Sequence, residues 1–138
     1  MDFAKGTHNM FTHVNVLTKE IIGAAIEVHR HLGPGLLESA YQQCLATELT
    51  LRQIPHQCEW PLPLEYKGLR LNCGYRVDIL VNNAVVVETK SVEVIAPVHE
   101  AQLLTYMRIG GWQVELLINF NVLALKTGIR RKVLDFKG

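Results

Sequence analysis

Two short apolar runs constrain the fold of this chain most: YRVDILV at residues 75–81 and VVVETK at residues 85–90. Both are rich in β-branched residues, and an Asn-Asn pair that tolerates positive φ separates them. We therefore predict two buried strands joined by a short turn. The first run contains Asp78 and the second contains Glu88. Because a carboxylate in a buried strand is costly unless it is paired, neutralised or bound to a cation, this hairpin is a candidate site.

The register of this hairpin decides whether the two carboxylates can act together. A two-residue turn would pair Asp78 with Val87, which places Glu88 on the opposite face of the sheet. A three-residue turn over residues 82–84 instead places Asp78 level with Glu88, on one face. Lys90 shares that face, because side chains two apart on a strand point the same way. We predict the three-residue or bulged turn, with an asparagine at positive φ.

The rest of the chain predicts helices that cover a mixed sheet. Apolar residues at helical spacing and Gly or Pro boundaries predict three helices, over residues 15–32, 35–54 and 97–109. Further strands are predicted over residues 59–66, 69–71 and 112–120, the first at a sheet edge because of its prolines. A mixed tail follows, with one short strand. The predicted fold class is α+β, an α/β sandwich, in one domain over residues 1–138 with a flexible extension at residues 1–14.

Composition excludes several classes of protein. A formal net charge of +1 excludes a globally basic protein, and no apolar run approaches the ~20 residues that cross a bilayer. The 3 cysteines have neither the spacing of a zinc site nor an even number for a disulfide framework. The N-terminus lacks the apolar stretch of a signal peptide. We expect a cytoplasmic protein with reduced thiols and no membrane segment.

The acids and the lysine of the hairpin suit one kind of chemistry. Paired Asp and Glu oxygens are suitable ligands for Mg²⁺, which takes one or two carboxylates and keeps several waters. A lysine beside such an ion can orient or deprotonate a water and hold a phosphate oxygen. Asp78, Glu88 and Lys90 therefore fit a site for phosphodiester hydrolysis. The alternative is a strand that leaves the core and ends in an exposed ion pair.

The chain also resembles a known group of nucleases. Asp78 followed by Glu88-Thr89-Lys90 resembles the signature of the PD-(D/E)xK nuclease superfamily, although Val77 stands where a proline is usual. The stretch GLLESAY at residues 35–41 matches the motif of the GxxExxY family within that superfamily. The similarity covers roughly residues 17–134. It implies a restriction-endonuclease-like core, with a mixed central sheet flanked by helices.

The resemblance implies a role for each matching residue. Asp78 and Glu88 would bind Mg²⁺ or Mn²⁺ with help from the backbone carbonyl of Thr89, and Lys90 would position the attacking water. Glu38 matches a helix-borne glutamate that touches the metal directly or through water. An acid in the first turn of a helix also favours the helix dipole without any catalytic role, so that reading of Glu38 stays open.

A polar stripe on the third predicted helix is a candidate for substrate binding. Gln102 and Tyr106 match a QxxxY pattern seen in some nucleases of the superfamily, and His99 lies on the same helix face. The alternative is a polar stripe beside a buried one. Tyr41 is interpreted as a packing residue that supports Glu38, and His29 as a core or helix-end histidine.

Two functions from different classes follow. The first is a Mg²⁺- or Mn²⁺-dependent phosphodiesterase acting on nucleic acid, with DNA the expected substrate. The second is a catalytically inactive nuclease-fold module that binds nucleic acid or a protein partner. The near-neutral charge favours the second, because tight phosphate binding usually needs clustered Lys or Arg. The intact acid, acid and lysine set favours the first. The sequence leaves the oligomeric state open between a monomer and a homodimer, which related folds often form.

Overall fold

The structure is a computed structural model that describes the backbone of residues 3–134 and the side chains of residues 13–134. Its helices are α1 (Phe3–Leu32), α2 (Glu38–Leu51) and α3 (Pro97–Gly110), with a short 3₁₀ turn at Leu125–Gly128. Its strands are β1 (His56–Pro61), β2 (Leu64–Tyr66), β3 (Leu69–Leu71), β4 (Arg76–Val81), β5 (Val85–Lys90), β6 (Val114–Asn119) and β7 (Ile129–Val133).

The main sheet has five strands in the order β1-β4-β5-β6-β7. All neighbouring pairs are antiparallel except β5 and β6, which run parallel, so the sheet is mixed. The parallel pair requires a crossover, and α3 supplies it. Strands β2 and β3 form a separate two-stranded hairpin. The predicted α+β class with a mixed central sheet is confirmed.

Helices cover both faces of this sheet. One apolar cluster joins α1 and α2 to inward side chains such as Ile79 and Val87. A second cluster joins α3 to side chains from the opposite face, among them Leu80 and Val86. The alternation of these residues along β4 and β5 explains why the two strands are apolar on both sides. The candidate acids lie within this cover, because Val77 and Ile79 on either side of Asp78 are buried and Glu88 is buried as well.

The boundaries of several elements differ from the predictions. Helix α1 begins at Phe3 rather than at residue 15, and the flexible extension over residues 1–14 stays a prediction. Helix α2 begins at Glu38, because Gly33 and Gly35 have positive φ and form a loop before it. The predicted strand over residues 59–66 is two strands that belong to different sheets, β1 and β2. Strand β1 lies at the edge of the main sheet, as its proline requires.

Candidate active site

The turn between β4 and β5 has the length that the site requires. The strands pair Val81 with Val85 and Leu80 with Val86, which leaves three residues in the turn. Asn82 and Asn83 both have positive φ, at 50° and 51°, a region that asparagine tolerates better than most residues. The predicted three-residue turn is therefore present.

The regular ladder between β4 and β5 ends at the pair Ile79 and Val87, one position before the acids. Beyond that pair, carboxylate oxygens accept the backbone N–H groups. The N–H of Asp78 donates to Oε1 of Glu88 at 3.0 Å, and the N–H of Thr89 donates to Oδ2 of Asp78 at 2.9 Å. The hydroxyl of Thr89 also donates to that Oδ2, at 3.1 Å. Each carboxylate is thus fixed by the other strand.

Burial and mutual repulsion change the acidity of this pair. Burial raises the pKa of Glu88 to about 8, and the negative charge of Asp78 adds to the rise. Burial also raises the pKa of Asp78, while its hydrogen bonds from Thr89 and with Glu88 lower it again. Two carboxyls in this position favour a shared proton or a bound cation. Hard oxygen donors that repel each other are a donor set that suits Mg²⁺ or Mn²⁺.

A small cleft opens beside Glu88, between β5 and α3. Lys90 lines this cleft. The three predicted substrate-binding residues line it as well: His99, Gln102 and Tyr106. Gln102 donates a hydrogen bond to the hydroxyl of Tyr106 at 2.8 Å. Burial raises the pKa of Tyr106, and the nearby charge of Glu88 contributes to the rise. Tyr106 therefore faces the acids.

His99 has a second role that the sequence pattern did not indicate. Its Nδ1 accepts a hydrogen bond from the backbone N–H of Ala96 at 3.0 Å, at the start of α3. One ring nitrogen is therefore committed to the helix end, where free N–H groups need acceptors. Its role in substrate binding stays a prediction.

Glu38 contacts the segment just after β5 and makes no hydrogen bond to Asp78 or Glu88. It is the exposed first residue of α2, and its Oε1 accepts the N–H of Ser91 at 3.4 Å. Among the described side chains, no three His, Cys, Asp or Glu residues form a group that could hold a metal ion. The structure therefore brings two of the three predicted acidic ligands together, and the metal role of Glu38, like that of the Thr89 carbonyl, stays a prediction.

Tyr41 explains the spacing of the GLLESAY stretch. Its ring is buried and stacks on Phe120, with the ring centres 4.5 Å apart. Its hydroxyl donates to the carbonyl of Gly33 and accepts the N–H of Leu36, so it closes the loop that leads to Glu38. Tyr41 is a packing residue that supports the start of α2, as predicted.

The sequence interpretation missed two polar residues next to Asp78. Glu59 lies on β1 level with Asp78, and Gln42 on α2 reaches both of them. Gln42 could have been suspected, because it follows Glu38 by four residues and so shares its helix face. Nothing in the sequence indicated Glu59, because its position depends on how β1 pairs with β4.

Comparison with known proteins agrees with this geometry. A family model described as the PD-(D/E)XK nuclease superfamily matches residues 15–132. The chain belongs to the PD-(D/E)XK nuclease superfamily. No curated protein and no solved structure matched it. In this superfamily member, Asp78 and the Glu88-x-Lys90 triplet lie on adjacent strands, one position beyond the last ladder pair.

Two other observations limit the alternatives for this superfamily member. A larger apolar hollow of about 230 Å³ lies beside Trp112 and Asn83, and none of its lining residues can titrate. It therefore offers no acid–base chemistry. Within residues 3–134, no helix is both long enough and apolar enough to span a membrane.

Proposed function

We propose that this protein is a nuclease that hydrolyses phosphodiester bonds of DNA with the help of Mg²⁺ or Mn²⁺. One observation supports this most: Asp78 and Glu88 lie side by side at the end of the β4–β5 ladder, with raised pKa values. Carboxyls held together in this way favour a cation between them. Lys90 lines a small cleft beside Glu88, so a cation and a base are both near the acids.

Each residue of the site has a distinct part in this proposal. Asp78 and Glu88 would hold the ion, which supplies positive charge against the charge of the phosphodiester. The ammonium group of Lys90 orients the attacking water and contacts a phosphate oxygen. Gln102 and Tyr106, on the opposite wall of the cleft, donate hydrogen bonds to the substrate. Positioned groups of this kind each contribute on the order of 10²- to 10⁴-fold in rate.

A cleavage assay tests the proposal. The purified chain is incubated with plasmid and with single-stranded DNA, with Mg²⁺, with Mn²⁺ or with a chelator. Glu88→Gln should abolish metal-dependent cleavage, whereas Glu115→Gln, a buried glutamate on the neighbouring strand, should not. Equal cleavage by the wild type and Glu88→Gln would identify a contaminating nuclease and contradict the proposal.

The alternative function is a nuclease-fold module without turnover, and a specific observation favours it. Asp78 and Glu88 already accept backbone N–H groups of the opposite strand, so a structural role alone would explain their presence. Such a module would bind DNA equally well with or without divalent ions and would not cut it. Binding measured in chelator beside cleavage measured in Mn²⁺ separates the two functions.

Three finer assignments accompany the proposal. We propose membership of the GxxExxY family, which the Tyr41-supported loop before Glu38 favours. A cytoplasmic location is consistent with three unpaired cysteines among the described residues. A homodimer is supported by the β2–β3 hairpin, where Tyr66 and Leu69 are more than half exposed. Tyr66→Ser with Leu69→Ser should then halve the mass measured by light scattering.

A further inference from the structure

The backbone of Asp78 is bonded to side chains on more than one side. Beyond the last ladder pair of β4 and β5, its N–H donates to Glu88. Its carbonyl accepts a hydrogen bond from Nε2 of Gln42 on α2, at 3.3 Å. Strand β4 also pairs with β1 on either side of this residue, at Val77 and Ile79, but the pairing skips Asp78 itself. The amide of Gln42 therefore restrains the strand at the residue that bears one of the two paired acids.

Glu59 holds the amide of Gln42 in place. The same Nε2 donates to Oε1 of Glu59 at 2.7 Å, a charge-assisted bond and thus the stronger of the two. Glu59 has a φ of 53°, which is uncommon for a non-glycine residue, in a strand that is otherwise regular. The result is a contact from α2 to β1 and β4 at the level of Asp78.

This contact is situated where small movements affect the acids. The carboxylate carbon of Asp78 is two bonds from its own Cα, in the backbone that Gln42 restrains. If the strand tilts there, the separation of the Asp78 and Glu88 oxygens changes, and with it their fit to a single ion. Residues that orient metal-binding side chains from behind typically change metal affinity or activity by about 10- to 100-fold when removed.

We propose that Gln42, held by Glu59, is a positioning residue that sets the orientation of Asp78 for metal binding and cleavage. This proposal rests on the proposed nuclease function. Gln42 acts through the backbone of Asp78, so its removal changes kcat and the metal requirement more than it changes KM for DNA.

The test compares Gln42→Leu, which keeps the size of the side chain and removes its donors, with the matched control Gln43→Leu. Gln43 is the next residue on the same helix, and it is exposed. For Gln42→Leu we expect kcat to fall about 10- to 100-fold and the Mn²⁺ concentration for half-maximal cleavage to rise by a similar factor. Gln43→Leu should match the wild type in both.

A second pair of variants tests the part played by Glu59. Glu59→Gln keeps an oxygen that accepts the Gln42 hydrogen bond, so it should retain most of the activity. Glu59→Leu removes the acceptor and should resemble Gln42→Leu. Equal effects of these two Glu59 variants would contradict the proposed role of Glu59.

Two readouts separate a positioning role from a merely structural one, and from failure of the nuclease proposal. If Gln42→Leu melts at a lower temperature but keeps the wild-type kcat and Mn²⁺ requirement, the positioning role is wrong. If the wild type does not cleave DNA, calorimetric titration with Mn²⁺ alone still compares the two proteins. Equal Mn²⁺ affinity, or no Mn²⁺ binding by the wild type, would then overturn the positioning role.

Discussion

Glu88 and Glu115 are buried glutamates on neighbouring strands, and their surroundings differ. Glu88 lies on β5 and is 8% exposed, while Glu115 lies on β6 and is 1% exposed. In the parallel register Glu88 is level with Leu117 and Glu115 is level with Val86, so both acids point to the α3 face. Both acids therefore lie in strands of the main sheet, on the same face, and both are buried.

Their hydrogen bonding separates them. Glu88 accepts the N–H of Asp78, whereas neither oxygen of Glu115 has a donor among the described residues. Burial raises the pKa of both groups, to about 8 for Glu88 and to about 7 for Glu115, where the charge of Lys132 partly opposes the rise. Burial alone therefore does not make a functional acid. Glu88 is distinguished by a hydrogen bond from the residue that bears the second carboxyl and by the cleft, whereas Glu100 affects Glu115 only through its charge.

The largest expected effect is the loss of DNA cleavage activity in the Glu88→Gln variant. Loss of one of the paired acids should reduce metal-dependent cleavage by at least about 10²-fold, because a positioned group of this kind contributes that much or more. Glu115→Gln should cleave within a few-fold of the wild type. Initial rates on a labelled DNA fragment measure both. A comparable loss in Glu115→Gln would mean that the two glutamates do not differ in function.

Each glutamate has a neighbouring lysine, and the two lysines should differ in their contribution to cleavage. Lys90 lines the cleft beside Glu88, and Lys132 is paired with Glu115 across the β6–β7 ladder. Lys90→Ala should lower kcat about 10²-fold or more with little change in melting temperature, because a partly exposed lysine contributes little stability. Lys132→Ala should leave kcat unchanged. A Lys90→Ala protein that melts lower but cuts normally would refute the catalytic role.

The pH dependence of stability should reveal Glu115. Its pKa is raised from 4.5 in the free side chain to about 7 in the folded protein. The folded state therefore binds more protons than the unfolded chain between these values, and the free energy of unfolding falls as pH rises through that window. Because one pKa unit corresponds to about 1.4 kcal/mol, the loss is no more than about 3–4 kcal/mol.

Urea unfolding at pH 5 and pH 8 measures this loss. Glu115→Gln should flatten the dependence by the share of Glu115, and the part that remains belongs to Asp78 and Glu88, whose pKa values are also raised. An identical pH dependence in Glu115→Gln and the wild type would show that the pKa of Glu115 is not raised in the folded protein.

Metal ions should stabilise the protein through the Asp78 and Glu88 pair and not through Glu115. An ion that binds only the folded site raises its stability by about 2.7 kcal/mol at a concentration of 100 times Kd. Mn²⁺ should thus raise the melting temperature of the wild type and of Glu115→Gln. Asp78→Asn should relieve the repulsion with Glu88 and lose the response to Mn²⁺. A wild-type melting temperature indifferent to Mg²⁺ and Mn²⁺ would contradict the metal site.

The smallest expected effect is a change in the free energy of unfolding when the ion pairs of Glu100, at the surface near Glu115, are removed. Glu100 lies 3.4 Å from Lys132 and 4.0 Å from Arg130, and its side chain is 27% exposed. Partly exposed ion pairs of this kind contribute about 1 kcal/mol or less. Glu100→Gln should therefore change the free energy of unfolding by less than about 1 kcal/mol at low salt, and by less still in 1 M salt. A larger effect would place Glu100 in a network with Glu115.

The hairpin of β4 and β5 could be predicted from the sequence because its cause is local. The length of the turn predicts which residues of the two strands lie opposite each other, and the observed pairing of Leu80 with Val86 confirms the predicted register. The helices that cover the sheet follow from apolar spacing in the same way.

Contacts between distant segments could not be predicted. Gln42 and Glu59 meet only because α2 packs against β1, and no periodic pattern in the sequence indicates that contact. The sequences of β6, VELLIN, and β5, VVVETK, have similar patterns, each with a glutamate in an apolar strand. The patterns alone do not show how the surroundings of Glu115 and Glu88 differ. What separates the two acids is their neighbours on other strands.

The turn at residues 82–84 has a consequence for how this protein can change in length. The pair Val81 and Val85 closes the turn, and the strand residues on either side of it are buried. A residue added to the turn lengthens the loop without changing which residues of the two strands pair, at an entropic cost under about 1 kcal/mol. A residue added within β5 before Glu88 would instead shift the pairing by one and turn Glu88 towards the apolar layer of α1 and α2. The turn therefore tolerates changes in length that the two strands do not.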